Sequence, residues 1–221
     1  MAMDATARAT REEPPERPAL RGVFHLFAAI AAVLGGAWLL INANSPSGYV
    51  GGAIFASSLM ALYVTSATYH RIAWRPKLQR IFKRMDHAMI FVLIAGTYTP
   101  FCLDVSLAWG IPMLSAVWAF AGLGALIKVL WPDAPRWLGV SLYLGLGWVA
   151  LFAASEVLQT YSVAPIAMLS GGGAMYTVGA LVYALRRPDP WPRVFGYHEV
   201  FHLLVVAGSV MHYSAIALYV V

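Results

Sequence analysis

The chain has 221 residues, of which 60% are hydrophobic and only 11% are charged. A soluble domain usually carries about 25% charged residues, so this composition cannot cover a water-facing surface and indicates lipid as the main solvent. The net charge of +5 does not indicate nucleic-acid binding, because the basic residues lie between apolar segments and not on one surface. The single cysteine, Cys102, excludes an internal disulfide and a metal site made of cysteines alone.

The first 21 residues mix arginines with acidic residues and contain three prolines. Such a segment has too little apolar surface to fold by itself. We therefore predict a disordered cytoplasmic arm at residues 1–21, followed by one transmembrane domain at residues 22–221.

Seven mostly apolar stretches follow the arm, each about as long as the 20 residues that a helix needs to cross the hydrocarbon core. Lipid offers no hydrogen-bond partner to an open backbone, and these runs are too long and too uniformly apolar for the strands of a β-barrel. The sequence predicts an all-α membrane protein, a bundle of seven transmembrane helices at roughly 22–41, 48–70, 85–103, 108–130, 137–155, 162–185 and 194–220.

All 15 lysines and arginines lie in the arm, in the connections after the second, fourth and sixth stretches or, for Lys128, in the last turn of the fourth stretch. Basic connections stay in the cytoplasm. The pattern predicts a cytoplasmic N-terminus and an external C-terminus, as in a protein of the bacterial inner (plasma) membrane.

The connection from Arg71 to Arg84 is the most basic segment, with six cations among apolar residues such as Trp74 and Leu78. One interpretation is an interfacial segment that contacts an anionic leaflet or a cytoplasmic partner. The simpler interpretation is an orientation signal and nothing more.

Ionisable groups inside a membrane are costly and usually functional. His70 ends the second stretch, Asp86 and His87 begin the third, and His198 and His202 lie in the first turns of the seventh. With alternating helix directions, all five residues fall near the same cytoplasmic boundary.

His198 and His202 are four residues apart, so both imidazoles project from one helical face. A helix can supply two ligands to a zinc ion with this spacing, although such pairs also occur as hydrogen-bonded packing residues. With His70 at the same depth, three histidines and an open fourth position would match a catalytic zinc site. Ser66, one turn before His70, could orient a ligand, donate to an oxyanion, or simply bond back to its own helix.

Thr97 lies three turns after Asp86, and Ser209 lies three turns after His198. These two polar faces suggest a cavity that enters the bundle from the site, although small polar residues also pack helices together.

The other polar residues have simpler interpretations. For His25 and His212 we expect hydrogen-bonding roles at the interfaces, and for His87 a supporting or packing role. Glu199 faces away from the histidine pair, and we expect an interfacial ion pair with Arg193.

Three motifs in order carry a resemblance: Ser66-Ala-Thr-Tyr-His70, then Arg84-Met-Asp86-His87 continuing to Gly96-Thr97-Tyr98-Thr99-Pro100, then His198-Glu-Val-Phe-His202. Together with Arg21-Gly22-Val-Phe-His25, they resemble the haemolysin III branch of the progestin and adipoQ receptor family, over nearly the whole chain.

The resemblance implies a seven-helix bundle with a zinc ion (Zn2+) held by His70, His198 and His202, and with Asp86 contacting the water on that metal. The wider superfamily includes alkaline ceramidases, shares this Ser, Asp and three-His set, and is associated with the hydrolysis of lipid amides. Bacterial members are linked with membrane lipid homeostasis.

Three functions follow from these observations. The first is a zinc-dependent hydrolase of a lipid amide or ester, with Asp86 as base and Ser66 at the oxyanion. The second is a non-enzymatic lipid or membrane-state sensor with structural zinc. The third, a self-inserting cytolysin, requires a soluble surface that this composition lacks. Membrane lipids are the expected substrate or ligand in the first two.

Overall fold

The structure is a computed structural model that describes residues 18–73 and 75–221. These residues form eight α-helices: α1 Val23–Asn42, α2 Pro46–Arg71, α3 Pro76–Asp104, α4 Leu107–Leu130, α5 Arg136–Gly147, α6 Ala154–Thr160, α7 Val163–Leu185 and α8 Tyr197–Tyr219. A 3-10 segment, Trp148–Ala153, joins α5 to α6, and the three together form one span. Among the described residues seven spans are long and apolar enough to cross a membrane, which confirms the predicted seven-helix bundle.

The third span begins earlier than predicted. α3 starts at Pro76 and not at residue 85, so most of the basic segment from Arg71 to Arg84 is helical and not a loop. Proline is favoured in the first turn of a helix, and the Lys, Leu, Gln and Arg residues that follow favour helix. Hydropathy detected only the apolar part of this helix. Lys83 Nζ donates to Asp133 Oδ1 at 3.0 Å, which ties the extension to the α4–α5 connection and lowers the pKa of the exposed Asp133 carboxyl.

The fifth span is interrupted, and it continues to Thr160, five residues beyond the predicted end. The backbone changes from α to 3-10 geometry after Gly147, which leaves peptide groups without their regular helical partners. The Tyr98 hydroxyl of α3 acts as a hydrogen-bond partner for two of these groups: it donates to the Gly147 carbonyl at 2.7 Å and accepts from the Ala150 N–H at 2.9 Å. A broken helix is tolerated at membrane depth when protein groups satisfy its backbone in this way.

Loops join the helices at two distinct ends of the bundle. At one end, Ala19 and Leu20 donate backbone hydrogen bonds to Arg193 and Val194 of the α7–α8 connection. At the other end, Asn44 bonds to the terminal Val221, the Tyr161 hydroxyl donates to Asp104, and the Ser106 hydroxyl donates to Glu156. Every lysine and arginine of the described chain belongs to the first end, as the sorting of the loops predicts.

The predicted disordered arm falls mostly on residues 1–17, which lie outside the described residues. Residues 19 and 20 of that predicted arm are ordered by their backbone bonds to the α7–α8 connection.

Packing is uneven around the bundle. Consecutive helices from α1 to α4 pack closely, as do α7 and α8, whereas α5 and α6 make few contacts with their neighbours. Small residues allow the close approach of α2 and α3: a Cβ on Gly51 would lie 2.6 Å from Pro100 Cα, and a Cβ on Gly96 would lie 2.1 Å from Ser58 Oγ. The sparse contacts of the fifth span leave room for an internal cavity.

Candidate metal centre

Three histidines from two helices meet at the basic end of the bundle. His70 lies in the last turn of α2, and His198 and His202 lie in the first two turns of α8. One nitrogen from each ring lies within 4.8 Å of the other two, so the three could hold a metal ion. The sequence placed these residues at one depth, and the structure brings them together.

The donor set fits a zinc ion. His70 Nε2 and His198 Nε2 lie 3.2 Å apart, and two ligands at 2.0–2.1 Å from a tetrahedral zinc would lie roughly 3.3 Å apart. His202 is 2% exposed, and its Nδ1 is buried without a hydrogen-bond partner among the described residues. The ligands therefore sit in a site from which water is largely excluded, where imidazoles bind divalent transition metals well.

Gly22 explains how the chain before α1 passes so close to the site. It adopts a left-handed conformation with φ 76°, and a Cβ at this position would lie 2.6 Å from His70 Cβ. Both facts require glycine here. The glycine in the sequence Arg21-Gly22-Val-Phe-His25 thus packs directly against one of the three histidines.

Asp86 and Ser66 lie beside the histidines. Asp86 Oδ2 is 3.9 Å from His70 Nε2, and its side chain is 13% exposed. Ser66 is 1% exposed, and its side chain lies beside the Asp86 carboxyl group, within reach of a hydrogen bond to it. A carboxylate and a buried hydroxyl therefore adjoin the three ring nitrogens.

His25 contributes to the site in a way that the sequence did not reveal. We expected a hydrogen-bonding role at the interface, but the residue is only 3% exposed and its ring packs inside the bundle. Its ring stacks on that of His202, with centroids 3.8 Å apart and planes 10° apart, and Tyr63 packs edge-on against it. Equal depth was the only signal in the sequence, because nothing there shows that α1 adjoins α8.

Glu199 also differs from the expectation. It is fully buried and forms an ion pair with the partly exposed Arg21 and not with Arg193, and its second oxygen accepts from the Gly196 N–H at 2.9 Å. The pair joins the start of α1 to the first turn of α8, next to His198. The expected partner was close in sequence, but the chain before α1 crosses this helix end and brings in Arg21.

The remaining two histidines do not belong to the cluster of three. His212 is 8% exposed, and its Nε2 lies 3.0 Å from the Leu169 carbonyl oxygen, so it makes a hydrogen bond inside the bundle and not at an interface. The backbone carbonyl of His87 accepts from the Tyr143 hydroxyl at 3.1 Å. The ring of His87 is not one of the three that could share an ion.

A largely apolar cavity of about 410 Å³ extends from the histidine cluster into the bundle. Asp86, Ser66, His198 and His202 line one part of it, and its walls continue along α3, α7 and the interrupted fifth span as far as Glu156. The predicted cavity along the Asp86 face is therefore confirmed. Thr97 lines it, while its hydroxyl donates back to the Leu93 carbonyl at 2.8 Å.

Ser209 does not line this cavity, contrary to the expectation. Its hydroxyl is 2.8 Å from that of Tyr176, so it joins α7 to α8 by a hydrogen bond. The residue belongs to a helix contact, which was the alternative interpretation of small polar residues.

A second cavity, of about 220 Å³, lies at the basic end. Its lining is polar and contains three cations, three tyrosines, three histidines and one carboxylate: Arg21, Lys83, Arg136, Tyr69, Tyr183, Tyr197, His70, His87, His198 and Asp86.

Comparisons with known proteins agree with this geometry. The family model described as haemolysin-III related matches residues 15–213. The hemolysin-3 homolog of Bacillus subtilis is 31% identical over 192 residues, which cover 86% of this chain and 83% of that protein. Hemolysin-3 of Bacillus cereus is 29% identical over 204 residues, covering 90% and 89% of the two chains. The adiponectin receptor protein of Drosophila melanogaster is 27% identical over 183 residues, covering 75% of this chain and 41% of the receptor. The chain therefore belongs to the haemolysin-III-related family, in the haemolysin III branch of the progestin and adipoQ receptor proteins.

Proposed function

We propose that this protein is a zinc-dependent hydrolase of lipid amide or ester bonds with a role in membrane lipid homeostasis. One observation carries the proposal: three imidazoles, a carboxylate and a buried hydroxyl meet at the head of an apolar cavity inside a membrane bundle. Zinc bound by His70, His198 and His202 would supply a Lewis acid that acidifies water and polarises a carbonyl group.

Asp86 is the group that moves the proton. The oxygen of the attacking water bonds to the acyl carbon while its proton passes to the Asp86 carboxylate, which lies 3.9 Å from the His70 nitrogen. The C–N or C–O bond then breaks, and the same proton passes to the departing amine or alcohol. The products are a fatty acid and the head group.

Ser66 and the cavity supply binding and charge stabilisation. The buried Ser66 hydroxyl lies beside Asp86, where it would donate to the oxyanion that develops on the carbonyl oxygen of the substrate. The cavity of 410 Å³ falls in the range of about 300–1,000 Å³ that is usual for small-molecule sites. Its apolar walls hold the acyl chain and keep bulk water away from the reacting bond.

We further propose that the basic end faces the cytoplasm and that the membrane is the bacterial plasma membrane. The described cations all lie at that end, and the positive-inside rule assigns such an end to the cytoplasm. The hemolysin-3 relatives come from Bacillus species, which favours a bacterial membrane. The metal centre would then lie at the level of the inner leaflet.

Metal analysis and turnover of the purified protein test the proposal together. We expect one zinc per chain in the wild type and loss of the metal in His202→Ala. His212→Gln is the matched control, because it removes a buried histidine on the same helix about 15 Å away, and it should retain the metal.

Asp86→Asn separates proton transfer from metal binding. We expect it to keep zinc and to lose turnover by about 10²–10⁴-fold. Fully zinc-loaded wild type that hydrolyses no ceramide, acyl amide or lysolipid would contradict the proposed activity.

A second candidate function is a lipid or membrane-state sensor with structural zinc. The helical extension of α3 favours it, since Arg75, Lys77, Arg80 and Arg84 are exposed there beside the half-exposed apolar side chains of Leu78 and Ile81. Such a surface suits an anionic leaflet or a cytoplasmic partner. A sensor would keep its output in Asp86→Asn, whereas a hydrolase would not.

A further inference from the structure

The two cavities meet at the metal centre. Asp86, His87, Tyr183 and His198 line both the apolar cavity of 410 Å³ and the polar cavity of 220 Å³. The reacting groups therefore lie at a junction between an apolar compartment and a polar compartment. A ligand that fills both must itself be amphipathic, with its apolar chain on one side of the junction and its polar group on the other.

The charges of the polar compartment indicate which polar group it would accept. Arg21 is already paired with Glu199, and Lys83 is paired with Asp133. Arg136, in the first turn of α5, has no carboxylate partner among the described residues. Its guanidinium carbon lies 5.1 Å from the centroid of the Tyr183 ring, which holds the group at the wall of the compartment.

Asp86, which lies beside His70 at the junction, is the carboxylate that lines this compartment together with Arg136. Arg136 is also at the end of a membrane span, the level at which lipid head groups lie.

We propose that Arg136 binds the anionic head group, a phosphate or carboxylate, of a single-chain acyl lipid whose chain occupies the apolar cavity. Guanidinium groups bind both anions through paired hydrogen bonds. This inference rests on the proposed function for the position of the acyl bond at the junction, but the binding itself needs no turnover. It narrows the substrate class to acyl lipids whose leaving part carries a negative charge.

Binding of two probes with the same chain tests the inference. Dodecylphosphonate carries an anion and no amide or ester bond, and 1-dodecanol is its neutral counterpart. For the wild-type protein in non-ionic detergent, calorimetry should show dodecylphosphonate binding roughly tenfold or more tightly than dodecanol, as expected for a hydrogen bond to a charged group. Equal affinities for the two probes would overturn the inference.

Substitutions of Arg136 test whether this residue causes the preference for dodecylphosphonate over dodecanol. Arg136→Gln should bring the two affinities together, and Arg136→Lys should keep part of the difference. Arg80→Gln is the matched control, because this exposed cation at the same end lines neither cavity. Discrimination that persists in Arg136→Gln would overturn the assignment. If that variant does not fold, the wild-type preference should still fall at high salt, and a salt-independent preference would overturn it.

Inorganic phosphate alone distinguishes a free anion from a head group. We expect it to bind far more weakly than dodecylphosphonate, and equal affinities would show that the compartment takes a free anion and not a lipid. In a separate arm, N-lauroylglycine should be cleaved with a higher kcat/KM than lauroyl ethanolamide. Tight phosphonate binding with no cleavage of either compound would refute the hydrolase and leave the binding site intact.

Discussion

The buried ion pair between Arg21 and Glu199 provides a quantitative test of the structure. Glu199 is fully buried, the side chain of Arg21 is 21% exposed, and Gly196 donates to the second Glu199 oxygen. Removing one partner of a buried pair costs about 3–5 kcal/mol, because the other charge is left without compensation. Since Arg21 keeps some contact with water, we expect Glu199→Gln to cost about 3 kcal/mol, at the lower limit of that range.

Denaturant unfolding in mixed micelles, followed by circular dichroism, measures this cost. In a double-mutant cycle with Arg21→Gln, the two changes should couple by about 1–3 kcal/mol. Arg193→Gln is the control, because Arg193 is the partner expected from the sequence and is exposed in the structure, and it should change stability by no more than about 0.5 kcal/mol. Additive effects of the two pair substitutions, or a large effect of Arg193→Gln, would refute the pairing.

Three further substitutions test the packing, the interrupted span and the metal centre. Gly124→Ala should lower the free energy of unfolding by about 1–3 kcal/mol, because its Cβ would lie 2.3 Å from Phe91 Cε1. Gly122→Ala on the same helix is the control: its Cβ would have no atom within 4 Å, so the change should be neutral or stabilising. Equal unfolding free energies for the two variants would contradict the packing. Tyr98→Phe should lower the free energy of unfolding by about 1–3 kcal/mol and speed hydrogen exchange of the Ala150 amide, which loses its acceptor. Unchanged exchange at Ala150 would show that the hydroxyl does not stabilise the 3-10 segment. His25→Ala should lower the metal affinity roughly tenfold in a chelator competition, because the ring that stacks on His202 is lost. His25→Phe should retain a stacked ring and most of the affinity. An unchanged affinity in His25→Ala would show that His25 does not support the metal centre.

The number of spans and the depth of each polar residue could be predicted from the sequence. A transmembrane helix advances 1.5 Å per residue between two boundaries, so the position of a residue along the membrane normal follows from local sequence alone. This is why His70, Asp86, His198 and His202 could be assigned to one level, and why the cations could be assigned to one end.

Hydropathy could not predict two features of the helices. One is the part of a helix that extends beyond the apolar span, and the other is a change of helical geometry within a span. The first turns of α3 carry charge, so an apolar window does not include them. The change to 3-10 geometry after Gly147 depends on a tyrosine about 50 residues earlier in the chain, and no local pattern encodes that contact.

Only the tertiary structure decided which helices are neighbours in the plane of the membrane. The order of helices around a bundle depends on packing between residues far apart in sequence, such as Gly51 against Pro100, and equal depth does not specify it. For this reason the stacking of His25 on His202, the pairing of Arg21 with Glu199, and the two compartments that meet at Asp86 appeared only in the structure.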